Sequence, residues 1–177
     1  MDARWLALGL AILLVAAFLF QPQEGRLGEG TFPIVGRPAP EFALAGLGGG
    51  FNFAAQRRGR PMVLAFWTTW CGACKHDLAI LEGFHRRYGD RVVVVGICPE
   101  RWGEVPEIAA RYGITFPILF DPGAGVTRAY QLSENLRYPF TVFVDARGEV
   151  SGVWAVSLRD LDFLLDLLGK AGISLPR

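Results

Sequence analysis

Met62-Val63-Leu64-Ala65-Phe66-Trp67 is an unbroken apolar run of strand length, and just beyond it the chain reads Cys71-Gly72-Ala73-Cys74. Continuous rather than alternating hydrophobicity implies a strand covered on both faces. A helical pattern begins at the cysteines: Leu78, Leu81, Phe84 and Tyr88 recur at spacings of three and four, and Gly89 follows as a stop. A buried strand therefore delivers the chain, through a short loop, into a helix whose first turn carries two thiols. Few architectures other than a layered α/β domain accommodate that order.

The remaining pattern agrees. Phe42-Ala43-Leu44 and Phe51-Asn52-Phe53 flank Gly46 to Gly50 and predict a small hairpin. Val92 to Ile97 is a second buried strand, Gly103 to Tyr112 a helix ended by Gly113, and Pro117 to Phe120 a short strand. Val126 to Tyr130 reads as a short helix. Thr141 to Val144 and Glu149 to Val156 read as a hairpin about the turn Asp145-Ala146-Arg147-Gly148. Ser157 to Leu168 is a last helix, with Ser157 expected as its N-cap. The expected fold is an α/β mixed sheet with helices on both faces.

Mean hydropathy is +0.29, high for a soluble domain, and much of the excess lies in the run from Trp5 to Phe20. That run holds no charge and is slightly shorter than the ~20 residues of a comfortable span, with Arg4 ahead of it. It ends Phe18-Leu19-Phe20-Gln21 rather than in the small residues that cleavage requires, which favours an uncleaved signal anchor over a removed signal peptide. We expect residues 1–22 to be the anchor, 23–35 a Gly-, Pro- and Glu-rich tether, and 36–172 the exported domain, single-pass and extracytoplasmic. A net charge of +1, with no basic cluster, gives no basis for a nucleic-acid partner.

There are three cysteines, the pair Cys71 and Cys74 and a separate Cys98. One close pair is too few for a disulfide scaffold and does not match a four-ligand zinc site, so redox chemistry is the natural reading. A thiolate, not a thiol, attacks a disulfide. Cys71 falls where the free N–H groups of a helix start converge, which favours negative sulfur, and Lys75 follows one turn on. Cys74 lies on the same helical face. The expected cycle is attack by Cys71, a mixed disulfide, and resolution by Cys74, with Trp70 an apolar shoulder beside the nucleophile. Cys98, ending an apolar strand, reads as a buried small hydrophobe.

These stretches together resemble the thioredoxin superfamily, and within it the TlpA/ResA group of membrane-anchored thiol–disulfide oxidoreductases. Gly36-Arg37-Pro38-Ala39-Pro40-Glu41-Phe42 resembles that group's lead-in segment, and Gly59-Arg60-Pro61 its approach to the central strand. Phe66 to Lys75 matches its FWATWCxxC stretch. Tyr112-Gly113-Ile114 with Phe116-Pro117 resembles its inserted helix–strand unit, and Pro139-Phe140-Thr141-Val142-Phe143-Val144-Asp145 its PTTFLID strand. The resemblance covers Val35 to Leu168. It implies a thioredoxin-like sheet, Cys71 as exposed nucleophile, Cys74 as resolving thiol, and Pro139 as a cis-proline shaping the groove for partner backbone. Asp77 falls where the group carries an acid, one turn beyond Cys74, placed to exchange a proton with it.

Two positions depart from the pattern. Ala65 stands where thioredoxins bury an acid six residues before the first cysteine, which leaves Asp77 or water to handle protons. Tyr138 precedes Pro139 where a smaller residue is usual, and its ring is expected to narrow the groove. The resemblance implies protein-disulfide substrates, including haem-attachment cysteines of apocytochromes, a membrane thiol as electron donor, and no cofactor beyond the Cys71–Cys74 disulfide. Two alternatives belong to other classes. A thiol peroxidase would use Thr68-x-x-Cys71, though Ala65 replaces the proline expected three residues before that threonine. A copper carrier would use Cys71, Cys74 and His76 or His85, with His85 about 20 Å along the helix from Cys71.

Overall fold

The computed structural model describes residues 32–100 and 103–175. Strands are β1 (Ala43–Gly46), β2 (Gly49–Asn52), β3 (Met62–Phe66), β4 (Val93–Cys98), β5 (Ile118–Phe120), β6 (Phe140–Val144) and β7 (Val150–Trp154). Helices are α1 (Phe53–Arg57), α2 (Gly72–Tyr88), α3 (Val105–Arg111), α4 (Gly125–Gln131) and α5 (Leu161–Lys170). The strands form one sheet in the order β2-β1-β5-β4-β3-β6-β7. β3 and β4 are parallel, as are β4 and β5, while β6 runs antiparallel to β3 and β7 antiparallel to β6. The expected thioredoxin-like mixed sheet is thus present, helices on both faces. The segments expected as anchor, and nearly all of the expected tether, lie outside the described residues. Among the described residues no helix is long and apolar enough to cross a membrane.

Both faces of the central strands are covered, as the unbroken apolar runs require. Val63, Ala65 and Trp67 alternate with Met62, Leu64 and Phe66, the first set joining one core and the second the other. The first core gathers Leu78, Leu81 and Phe84 of α2, Ile108 of α3 and Leu164 and Leu167 of α5. The second gathers Phe53 of α1 and Tyr130 of α4, with Phe42, Phe51 and Ile34. Each fully buried side chain of this size contributes about 1.5–3 kcal/mol through its area removed from water.

β1 reaches β5 through a single pairing, Gly46 with Leu119. A Cβ at Gly46 would sit 2.4 Å from the Ile118 carbonyl oxygen, so glycine is required where the hairpin docks.

Two boundaries differ from expectation. Asn52 ends the hairpin but also caps α1, its side-chain oxygen accepting from Ala55 N at 2.9 Å, a helix too short to leave a periodic signature. The last helix begins at Leu161, capped by Asp160, whose carboxylate accepts from Phe163 N at 2.7 Å. Ser157 is not its cap. That hydroxyl has a different partner.

Candidate active site

β3 ends at Phe66, and Trp67 N still bonds Ile97 O at 3.0 Å before the chain leaves the sheet. The loop 68–71 then turns into α2, closed by Cys71 N donating to Thr68 O at 3.3 Å. Cys71 is the N-cap of α2 with extended backbone, and its Sγ accepts from Cys74 N at 3.1 Å. A sulfur at this position replaces the Ser, Thr or Asp oxygen that usually meets a free helical N–H. The same donor stabilises negative charge on that sulfur once the pair is reduced.

Cys71 and Cys74 are joined as a disulfide, with Cα atoms 5.3 Å apart. Their exposures differ in the sense the chemistry needs: Cys71 retains 8 % and Cys74 none. Trp70 beside them is 72 % exposed. Its ring meets Tyr138 edge-on, with centroids 6.1 Å apart. The Tyr138–Pro139 peptide bond is cis. Pro139 immediately precedes β6, whose first residue Phe140 pairs with Phe66 at the end of β3. The cis-proline turn and the cysteine loop therefore leave the same end of two neighbouring strands. Cys71, Cys74 and Trp70, distant in sequence from Tyr138 and Pro139, lie with them at one end of these central strands.

Asp77 lies one turn beyond Cys74 on the buried face of α2, 4 % exposed. Its Oδ1 accepts from Ser157 Oγ at 2.6 Å and from Leu158 N at 3.0 Å. Its Oδ2 is buried with no hydrogen-bond partner. Burial pushes this carboxyl up from 3.8 to about 6, opposed by the Ser157 and Leu158 donors and by His76. An acid with one free, enclosed oxygen and a midpoint near neutrality is suited to carry a proton for Cys74.

Sequence reasoning missed the support of this acid. Ser157 and Leu158 lie eighty and eighty-one positions away, and a serine ahead of a helical pattern gives a capping signal whichever partner it takes. It also missed Glu100, whose Oε2 accepts from Thr69 N at 2.8 Å. Cys98 is fully buried at the end of β4, and its Sγ donates to the same Glu100 oxygen at 3.2 Å. Burial pushes the Cys98 thiol up, so it remains a protonated donor.

The Thr68 hydroxyl is buried without a hydrogen-bond partner, so it makes no bond to Cys71. Among the described residues, no three His, Cys, Asp or Glu side chains are grouped to hold a metal ion.

Comparison with known proteins gives a consistent set of relatives. The chain is 28 % identical over 170 residues to the thioredoxin-like protein YneN of Bacillus subtilis, covering 93 % of this chain and 98 % of that one. It is 31 % identical over 147 residues to the thiol-disulfide oxidoreductase ResA of Geobacillus kaustophilus, covering 81 % and 82 %. Among solved structures, a thiol:disulfide interchange protein from Chlorobium tepidum, assigned as DsbE, superposes with a TM-score of 0.66 at 25 % identity, covering 76 % of this chain and 94 % of that one. The profile of the AhpC/TSA family matches residues 35–153. That stretch runs from the lead-in segment through the cysteine loop and the cis-proline turn to β7, and this chain belongs to the AhpC/TSA family.

Proposed function

We propose that this protein reduces disulfides of exported proteins, working as a thiol–disulfide oxidoreductase through Cys71 and Cys74. The observation that carries this reading is the asymmetric pair itself: one sulfur on a helix N-cap in a residue that keeps 8 % of its surface accessible, the other fully enclosed three residues later.

In the reduced protein the Cys71 thiolate attacks one sulfur of a target disulfide, and the target's other sulfur leaves as a thiolate. Cys74 then attacks the Cys71 sulfur of the mixed disulfide. This releases the second target thiol and forms the Cys71–Cys74 bond, with two electrons passed to the target. Asp77 takes the proton of Cys74 as that thiol becomes the nucleophile. Trp70, Tyr138 and cis-Pro139 form the surface on which target backbone lies. An external thiol donor at the membrane restores the dithiol, and no further cofactor enters the cycle. Residues 1–22 hold the protein to the cytoplasmic membrane and 23–35 tether the domain on the extracytoplasmic side. The last part of the tether packs against it, with Ile34 in the core and Phe32 edge-on to Phe140. Haem-attachment cysteines of apocytochromes are the substrate class that the resemblance to the ResA group supports.

The thiol peroxidase alternative needs the Thr68 hydroxyl to act on Cys71, and that contact is not made.

The test is the reduction potential of the Cys71–Cys74 couple in the full chain, equilibrated in defined thiol–disulfide buffers, with Cys98→Ser as a control. A value near ~ −270 mV supports a reductant; a value towards ~ −120 mV overturns the reductase reading in favour of disulfide formation.

A further inference from the structure

β3 and β4 are parallel neighbours, Phe66 pairing with Ile97. Whatever follows β4 therefore lies beside whatever follows β3. The first chain segment is Cys98-Pro99-Glu100; the second is the loop that presents Trp70 and Cys71. We infer that Glu100 is a positioning residue for the exchange site, fixing that loop through the Thr69 amide, an assignment that rests on the exchange chemistry proposed above.

The loop has few other anchors. Trp67 N is held by Ile97 O, and Cys71 N closes back on Thr68 O within the loop. Between them, Thr69 N donates at 2.8 Å to a carboxylate that β4 delivers from outside the loop. Hydrogen bonds to an ionised acceptor are roughly twice as strong as neutral ones. Thr69 stands between Thr68, 1 % exposed, and Trp70, 72 % exposed, so this bond lies at the point where the chain passes from core to surface.

The carboxylate is itself held. The Cys98 thiol, fully buried, donates to the same oxygen at 3.2 Å. A thiol is apolar enough for the end of a core strand and still supplies one donor. This gives Cys98 a role other than exchange: it keeps Glu100 Oε2 aimed at Thr69.

The arrangement continues to the cis-proline turn. Trp70 rests edge-on against Tyr138, and the Tyr138 hydroxyl is enclosed without a hydrogen-bond partner. Burial raises that phenol above its ordinary value, Thr127 opposing, with Asp121, Cys98 and Glu100 adding to the rise. Moving the loop moves Trp70 on Tyr138, and with it the groove beside Cys71.

The test uses the full chain with Glu100→Ala and Glu100→Gln, and Glu107→Ala as an exposed-carboxylate control on α3. Three quantities are read: hydrogen exchange of the Thr69 amide, the pH profile of Cys71 alkylation by iodoacetamide in the reduced protein, and kcat and KM for reduction of insulin. Glu100→Ala is expected to speed Thr69 exchange about tenfold or more, to shift the alkylation profile, and to raise KM for insulin about tenfold with a smaller change in kcat. Glu100→Gln, which keeps an acceptor oxygen, is expected to recover most of the Thr69 protection and of the KM. Unchanged Thr69 exchange in Glu100→Ala, or no recovery with Gln, overturns the assignment. A wild-type protein whose Cys71 alkylation depends on Glu100 as stated, yet which reduces no insulin, supports the positioning role while overturning the reductase reading.

Discussion

Helix α2 buries two acids five residues apart, Asp77 at 4 % exposure and Glu82 at 5 %, and they have opposite properties. Burial acts on both to disfavour the charge. For Glu82 that effect is outweighed: Thr115 N and Thr115 Oγ1 each donate to it at 2.8 Å, and Arg86 pairs with it at 2.6 Å, so its carboxyl stays below the ordinary value. For Asp77 both donors converge on one oxygen, no guanidinium pairs with it among the described residues, and the carboxyl rises to about 6. Exposure alone does not say what a buried acid is for. The number of donors, their charge and their division between the two oxygens decide it. Glu82 ties the segment before β5 to α2. Asp77, half satisfied beside Cys74, is equipped to exchange a proton.

The widest separation between the two is expected in the exchange rate. Asp77→Asn removes the carboxylate proposed to accept the Cys74 proton and is expected to slow resolution of the mixed disulfide about a hundredfold near neutral pH. In the wild type that step should accelerate as pH rises through about 6, because the carboxylate form is the acceptor. The Asn variant should lose that limb. Glu82→Gln should leave both rate and profile within about twofold, since it touches no reacting atom. Single-turnover reduction of insulin at a series of pH values measures all three proteins. Equal losses in the two variants would erase the distinction.

Stability should show the reverse order. Glu82→Ala leaves Thr115 N–H without its acceptor and Arg86 with only the Gly113 carbonyl, and is expected to cost about 2–3 kcal/mol, or roughly 6 °C in Tm. The exposed guanidinium keeps the figure from being larger, because water compensates it. Thermal unfolding followed by circular dichroism checks the loss. Exchange per folded molecule should be preserved.

Ser157→Ala sharpens the comparison from the Asp77 side. It deletes one of the two donors on Oδ1 and leaves Leu158 N in place. The carboxyl should rise above its present value of about 6, carrying the kinetic limb upward in pH, with a stability loss of about 1 kcal/mol. An unmoved limb would show that the inflection belongs to another group.

How much of this was legible in the sequence follows from how far each signal reaches along the chain. The apolar run 62–67 and the stripe from Leu78 to Tyr88 predicted β3 and α2 because period is a local property, and both lie where expected. The cysteines were legible for the same reason, three residues apart on one helix start. The bulky residue before Pro139 was visible as a departure, and its contact is with Trp70. Donors arriving from another part of the chain were not legible. Ser157 offered a capping signal, yet its hydroxyl turns to Asp77 while Asp160 caps α5. Glu100 follows an apolar strand as an ordinary polar residue, and only the parallel register of β3 and β4 brings it under Thr69. Asp77 could be located on the helix, but its titration depends on Ser157 and Leu158.

The smallest expected effect is in the pH dependence of folding, where the two acids pull in opposite directions. Asp77 titrates higher folded than unfolded, so its contribution is fully present below about 3.8 and is lost as pH rises through about 6. Glu82 titrates lower folded than unfolded, so its contribution is present above about 4.5 and is lost as pH falls through its folded value. The two slopes oppose each other only near pH 4; above about 4.5 the Glu82 contribution is constant, and wild-type stability should fall modestly as pH rises to about 6. Each neutral variant exposes the opposite slope. Asp77→Asn should gain on the wild type as pH rises from about 4 to 7, because the amide carries no charge to bury. Glu82→Gln should lie furthest below the wild type near pH 7 and approach it as pH falls below about 4.5. Urea unfolding at pH 4, 5.5 and 7 measures both differences. If Asp77→Asn instead loses stability steadily as pH rises, the ionised carboxylate is better satisfied by Ser157 and Leu158 than its free Oδ2 implies, and Asp77 would join Glu82 as a tether.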